Sequence, residues 1–326
     1  MMQSPAPVTS RSHLPDDGRR RRRRVSLVAV PVAIAVIVAG VVIGLRLTHK
    51  SKPTPAPTVT PTSNAAGALQ WAPPSLSRPT TITLSANNRE LKLDPERDYR
   101  LVMPDTPLTV KGGLSITGGH NVVLIGGALL APSARQAPDP QDRRGVYLKG
   151  QTGVVHIEGL KLGGDLSEGF DLDERLGATV QIENVDVGTV HGSRDANHAD
   201  VIQSWAGPNK LLIDGLRASS DYQGLFLLPN QHWSDGPKPQ LFDVRRSVIT
   251  LSDGAGYGVW VPDSAPWFRA DGLTIVTEES DRGKVLWPAS QLGQVRLATG
   301  AANNALPDGE PGVEYRTPGY HEGAGS

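Results

Sequence analysis

The sequence predicts an all-β protein, a single-stranded parallel β-helix, preceded by one transmembrane α-helix. Three observations lead to this prediction. A short alternating pattern of apolar residues recurs about every 30 residues through the middle of the chain. A glycine or an asparagine interrupts most copies of the pattern at the same point. Near the N-terminus, an apolar stretch without charges directly follows a run of arginines.

The N-terminal region predicts a membrane anchor. Residues 19–24 are all arginine, and residues 25–45 carry no charge. A bilayer core of about 30 Å needs about 20 helical residues, and Lys and Arg stay on the cytoplasmic side. We therefore predict a basic cytoplasmic tail over 1–24 and a transmembrane helix over 25–45 that contacts the lipid bilayer. A cleaved signal peptide is the alternative, but its apolar region normally spans only about 7–15 residues.

The rest of the chain divides by composition. Residues 46–68 are rich in Pro and Thr and predict an extended stalk. Residues 69–300 predict the extracytoplasmic β-helix domain of a single-pass cell-membrane protein, and residues 301–326 predict a flexible C-terminal tail. The formal net charge of zero gives no electrostatic case for binding nucleic acid. The absence of cysteine from the sequence excludes disulfides and thiolate chemistry.

The repeat consists of two short apolar runs on either side of a turn residue. Each run alternates with a period of two, which is typical of a strand with one buried face. The pattern predicts burial for these residues of the clear copies: Val123, Ile125, Ile157, Ile182 and Ile213. Fainter copies are centred on Val244 and Ala270.

The turn position between the two runs favours a left-handed backbone. Its occupants are Gly127, Gly159, Asn184, Gly215, Arg246 and Gly272. Glycine and asparagine adopt positive φ most readily, so a sharp bend is predicted in these coils. Arg246 is the exception, and its coil is expected to turn differently.

A third apolar run in each coil completes the β-helix prediction. These runs lie at residues 145–149, 169–173, 200–203, 224–227 and 256–260. Three strands per coil predict a triangular cross-section. A β-sandwich of many short strands is the competing fold, but it does not explain a turn residue at a constant position.

Over roughly residues 91–275 the sequence resembles the right-handed parallel β-helix superfamily of pectate lyases and related polysaccharide-active proteins. The resemblance depends on the repeat, on the segment 93–99 and on the segment 118–122. It implies a right-handed helix and a polysaccharide or cell-surface glycan as partner. Members of this superfamily cleave polyuronates by elimination, hydrolyse glycosidic bonds, epimerise sugars or only bind them.

One polar loop, at residues 188–199, interrupts the regular pattern before a strand, and the next coil has polar residues at the same position. Side chains on adjacent coils lie about 4.8 Å apart, so they are expected to meet in one outward groove. The predicted catalytic residues are Arg194, His198, Asp200 and Asp221. The predicted substrate-binding residues are Gln203, Trp205, Tyr222 and Gln223.

Two reactions and a non-catalytic role remain open for these residues. Elimination needs a base, for which His191, His198 and Arg194 are candidates, and a positive partner, either Arg194 or a Ca²⁺ bound by Asp. No other cofactor is expected.

Hydrolysis instead needs two carboxyl groups, and Asp200 and Asp221 form the natural pair. Trp205, Tyr222 and Trp233 would stack against sugar rings. In a glycan-binding or structural surface protein, the same polar residues would only bind sugar or hydrogen-bond to the backbone at coil corners.

Overall fold

A computed structural model describes residues 69–231, 238–300, 305–306 and 309–319. The predicted cytoplasmic tail, transmembrane helix and stalk lie outside these residues. Within the described ranges, no helix is long and apolar enough to cross a membrane. Regular structure here is almost entirely β, with one short helix, α1 (Arg282–Val285), and two 3₁₀ turns at Pro140–Arg143 and Ala289–Gln291.

The strands are short and follow one another at close intervals. In chain order they are β1 (Thr80–Thr83), β2 (Glu90–Leu93), β3 (Tyr99–Val102), β4 (Leu108–Thr109), β5 (Leu114–Gly118), β6 (Val122–Ile125), β7 (Ala128–Ala131), β8 (Arg144–Lys149), β9 (Val154–Glu158), β10 (Lys161–Gly164), β11 (Glu168–Asp173), β12 (Thr179–Val190), β13 (Asp200–Ala206), β14 (Lys210–Ser220), β15 (Gln223–Leu227), β16 (Leu241–Arg245), β17 (Val248–Leu251), β18 (Val259–Trp260), β19 (Phe268–Asp271), β20 (Thr274–Val276), β21 (Leu286–Trp287) and β22 (Arg296–Ala298).

Two parallel sheets contain all of these strands. The first sheet has 14 strands and runs β1-β3-β6-β9-β12-β14-β17-β20-β22, with β4, β7, β10, β16 and β19 attached beside that path. The second has eight strands in the order β2-β5-β8-β11-β13-β15-β18-β21. Successive strands of each sheet come from successive passages of the chain, which is consistent with a parallel β-helix. The pairings between these strands are parallel, which contradicts the antiparallel sandwich.

The interior is a stack of apolar side chains in register. On the second sheet, Phe170 pairs with Ile202, Ile202 with Leu225, and Leu225 with Val259. All four are completely buried. Successive side chains of a strand point to opposite faces, so the residues next to this column point out of the helix. The same alternation is why the buried positions could be predicted from the sequence.

The turn position behaves as predicted in most coils and differently in one. Gly159, Asn184, Gly215 and Gly272 have φ of 65°, 51°, 66° and 74°. Arg246, expected to turn differently, has the same left-handed backbone with φ 40°. Its guanidinium forms an ion pair with the buried Asp214 of the preceding coil, which supports the strained conformation.

The predicted burial of Ile125 is wrong. Leu124, and not Ile125, pairs with Ile157 and enters the core, and Ile125 is 39 % exposed. This coil has two glycines in succession, Gly126 and Gly127, both at positive φ. The sequence prediction placed the second glycine, Gly127, at the turn position. This shifts the predicted strand by one residue relative to the observed pairing, and such a shift exchanges the buried and exposed faces of a strand. The other four predicted residues are buried.

Both ends of the described chain pack on the outer face of the first sheet. The backbone N–H groups of Gln70 and Trp71 donate to the carboxylate of Glu183 at 2.7 and 3.1 Å. The Tyr315 hydroxyl donates to Glu158 at 2.7 Å, and the Gly312 N–H donates to the Gly159 carbonyl at 2.9 Å. Residues 309–319 belong to the segment that the sequence assigns to a tail, and here they cover a column of buried carboxylates.

Candidate functional site

The outward face of the second sheet presents one column of polar and aromatic side chains. The column is set by the strand register and contains Tyr147, Asp171, Gln203, Phe226, Trp260 and Trp287. It lies next to the buried column of Phe170 and Ile202, so the alternation of the strands directs it away from the core. The predicted Gln203 therefore points out of the helix, between Asp171 and Phe226 on neighbouring coils.

Asp171 of this column lies close to two further carboxyl groups, those of Glu168 and Asp200. Asp171, Asp200 and Glu168 lie on adjacent strands and are 1 %, 0 % and 8 % exposed. The Asp200 N–H donates to Glu168 Oε2 at 2.8 Å, while neither oxygen of the Asp200 carboxyl has a hydrogen-bond partner in the described chain. Arg144 forms an ion pair with Asp171 without hydrogen-bond geometry. One nearby cation thus faces three acids.

Burial decides how these carboxyl groups titrate. Burial raises the pKa of Asp171 to about 6 against the opposing effect of Arg144. Burial and the charge of Asp171 raise the pKa of both Asp200 and Glu168 well above the ordinary range. Burial and mutual repulsion therefore favour the neutral, protonated form of these carboxyl groups.

The polar loop and the following strand complete the region that the sequence predicts. Asp200 pairs in register with Gln223. Asp200 lies two residues before the core residue Ile202 and is completely buried, so it faces the interior and not the outward groove that the sequence predicts. The His198 ring lies 5.1 Å from the Tyr222 ring, and His198 Nε2 lies 3.0 Å from the Arg194 carbonyl, to which it donates. Burial, followed by the charge of Asp200, raises the pKa of Tyr222.

Asp221 occupies a different environment from Asp200. Its carboxylate accepts from His191 Nδ1 at 2.6 Å and from Ser252 Oγ at 2.7 Å. Burial by itself would raise the pKa of Asp221, but these hydrogen bonds lower it overall. The carboxyl groups nearest Asp200 are instead Asp171 and Glu168. Neither Asp171 nor Glu168 is among the residues that the sequence predicts as catalytic.

An open cavity of about 540 Å³ lies beside the carboxyl cluster. Arg194, Asp221, Tyr222 and Gln223 line it, so the structure brings half of the predicted residues to one wall. His198 contacts this wall through Tyr222. Trp205 lies apart, 6.3 Å from the Tyr147 ring, and Trp233 is outside the described residues.

Tyr257 and Trp260 also line the cavity, and they belong to a row of aromatic rings that continues beyond it. The Trp260 ring lies 5.2 Å from Phe226 and 5.1 Å from Tyr257, and Tyr257 lies 6.1 Å from Trp287. Trp287 is 42 % exposed. Sequence reasoning missed this row, although each ring falls in or next to the third run of its coil. A search for aromatics at that position would have found it.

Metal-binding groups of three or more His, Cys, Asp or Glu side chains are not present in the described part of the chain. Comparison with protein-family models gives no match for this sequence. Neither a curated protein nor a solved structure matches it. The fold and the site together define a class, an all-β protein of stacked parallel strands with a row of aromatic side chains on the outer face of one sheet.

Proposed function

We propose that this chain is a membrane-anchored, extracytoplasmic, right-handed single-stranded β-helix of the pectate lyase-like superfamily, and that its second sheet binds polysaccharide. The observation that carries the proposal is the row of Phe226, Trp260, Tyr257 and Trp287 beside a cavity with charged and amide side chains. Aromatic rings offer flat apolar surface at low entropic cost, and a few polar groups fix the orientation of a ligand.

Binding is favoured over hydrolysis by the accessibility of the carboxyl groups. Asp171 and Asp200 are buried, so a sugar cannot contact them in this conformation. Glycoside hydrolysis requires two carboxyl groups that flank the scissile bond. The aromatic row and the cavity, in contrast, are open to solvent.

An elimination reaction is the second candidate, because one exposed pair could supply its base. His191 is 44 % exposed and Asp221 37 % exposed, and Asp221 holds His191 through Nδ1. This leaves Nε2 free to accept the proton next to a uronate carboxyl group, while Arg194 in the cavity would stabilise the resulting negative charge.

The binding proposal predicts that Trp260→Ala lowers the affinity for polysaccharide by at least about tenfold, because the variant removes the central ring of the row. Full-length protein in neutral detergent is screened against acidic and neutral polysaccharides, and the dissociation constant is measured for each that binds. Trp71→Ala is the matched control, since Trp71 packs under Arg245 on the first sheet. Equal losses in both variants would rule out a ligand on the second sheet.

The same preparation tests the elimination candidate. His191→Gln should abolish formation of the unsaturated uronate, which absorbs ultraviolet light, and leave binding intact. Product formation that survives His191→Gln would exclude His191 as the base. Binding without product in the wild type would support the non-catalytic protein.

The proposed topology has its own test. Protease added to intact cells should remove the domain that begins near Trp71 and leave the anchor in the membrane, because residues 19–24 retain the N-terminus inside. A domain that is protected from protease would reverse the orientation, and a domain released without protease would indicate a cleaved leader.

A further inference from the structure

Three basic side chains occupy the same position on three neighbouring coils, away from the proposed sugar site. Thr80 pairs with Tyr99, and Tyr99 with Val122. Each of these three strand residues has a basic side chain two positions earlier in the sequence: Arg78 before Thr80, Arg97 before Tyr99 and His120 before Val122. The His120 N–H donates to the Arg97 carbonyl at 2.8 Å, so the register continues to this level. We name these three residues the basic column.

Within the basic column, His120 has a carboxylate partner, the buried Asp98. Like charges directly opposite each other on paired strands destabilise a sheet. In the described part of the chain, Arg78 and Arg97 form no ion pair and no side-chain hydrogen bond. Glu96 lies on the same rim without pairing with either guanidinium.

The backbone of Arg78 is a second, independent sign. Its φ is 47°, a conformation that side chains other than glycine rarely adopt. Asn184 and Arg246, which share positive φ, occupy the turn position of the repeat. Arg78 does not, so the repeat gives no reason for its strain. Strained residues cluster at binding sites because the surrounding structure holds them there.

A buried acid orients the third member of the basic column. Asp98 is 6 % exposed, and its carboxylate accepts from the Ser77 N–H at 2.6 Å and from Asn121 Nδ2 at 3.1 Å. It also lies 3.0 Å from His120 Nδ1. These bonds use the carboxylate of Asp98 and leave His120 Nε2 free.

The basic column borders a cavity of about 640 Å³, which Ser75 and Ser77 also line. Asp98 and Glu96 line the same cavity, so two guanidinium groups, one imidazole and two hydroxyls border it together with two carboxyl groups. Guanidinium binds tetrahedral oxyanions through paired hydrogen bonds, and the hydroxyls can donate to the remaining oxygens. We propose that this cavity binds a phosphate group, either free phosphate or the headgroup of an anionic lipid.

Calorimetry with the full-length protein in neutral detergent at low ionic strength tests the proposal. Inorganic phosphate should bind saturably, and Arg97→Gln should weaken it at least about tenfold. Arg100→Gln is the matched control, because Arg100 is exposed on the same coil but lines a separate, apolar cavity. Dihexanoyl phosphatidic acid identifies the source: tighter binding than phosphate indicates a lipid headgroup, and equal or weaker binding indicates free phosphate.

A stability measurement distinguishes a ligand site from a structural one. Added phosphate should raise the melting temperature of the wild type and leave that of Arg97→Gln unchanged. Arg78→Gln repeats the test if the first variant folds poorly. Absence of phosphate binding up to about 10 mM, equal binding of acetate, or an equal loss in Arg100→Gln would overturn the proposal.

Discussion

The free energy of unfolding is expected to fall as the pH rises from about 5 to about 9. Burial raises the pKa of Glu174 and of Glu183 to about 8 and that of Asp171 to about 6. The pKa values of Glu168 and Asp200 are raised as well. A carboxyl group with a raised folded-state pKa contributes stability at low pH, and this contribution is lost as the pH rises through that pKa.

The expected size of this decrease is several kcal/mol. A change of one pKa unit corresponds to about 1.4 kcal/mol, and Glu174 alone shifts from 4.5 to about 8. Three other carboxyl groups, those of Asp98, Glu158 and Asp221, have lowered pKa values. Their contributions to the free energy of unfolding are therefore lost only below about pH 4. Maximum stability should therefore lie near pH 5. Urea unfolding at constant ionic strength measures it.

Single variants identify the groups responsible. Glu174→Gln should flatten the profile between about pH 5 and pH 8, because glutamine keeps the acceptor for the Gln151 N–H and removes the charge. Asp200→Asn should act in the same sense. Glu279→Gln is the control, since Glu279 is exposed to solvent and its pKa is lowered. A stability maximum at pH 8 or above would contradict this description of the buried carboxyl groups.

Gly159→Ala is expected to lower the free energy of unfolding by about 3 kcal/mol. A Cβ at this position would lie 2.0 Å from the Tyr315 ring, and the backbone has φ 65°. Left-handed backbone costs a residue with a Cβ about 1 kcal/mol. Displacing Tyr315 would also remove the hydrogen bond of its hydroxyl to the buried Glu158, which adds about 1–3 kcal/mol.

Gly272→Ala separates the two contributions. Its φ is 74°, but the nearest atom to a new Cβ is the Arg246 nitrogen at 3.5 Å, so this variant should lose only about 1 kcal/mol. In a Tyr315→Ala background, the additional cost of Gly159→Ala should fall to the same level. If the two glycine variants lose equal stability in the wild-type background, residues 309–319 do not pack on the first sheet.

Much of the fold follows from local patterns in the sequence. The period-two runs gave the buried faces of Ile157, Ile182 and Ile213, because strand faces alternate whatever the tertiary context. The pattern failed at Ile125, where two successive glycines leave the register ambiguous. It also failed at Arg246, where the ion pair to Asp214 stabilises a left-handed arginine. That contact is between residues on different coils and has no local signal.

The candidate site was only partly predictable. Matching positions on adjacent coils correctly brought Asp200 next to Gln223. The same rule would have found Glu168, which precedes Gly169 as Gln223 precedes Gly224. The partners of Asp221 depend on the path of two loops, which periodicity does not determine. Likewise, Tyr315, which donates to Glu158, belongs to a C-terminal segment without a regular apolar pattern, so the sequence does not predict this contact.

Hydrogen–deuterium exchange of the full-length protein, with and without a polysaccharide that binds it, shows where the ligand lies. We expect slower exchange in β15, in β18 and in the loop before β13 when the ligand is bound, because these segments surround the aromatic row and its cavity. Exchange in β1 and β9 of the first sheet should not change. Protection confined to the first sheet would contradict a sugar-binding face on the second.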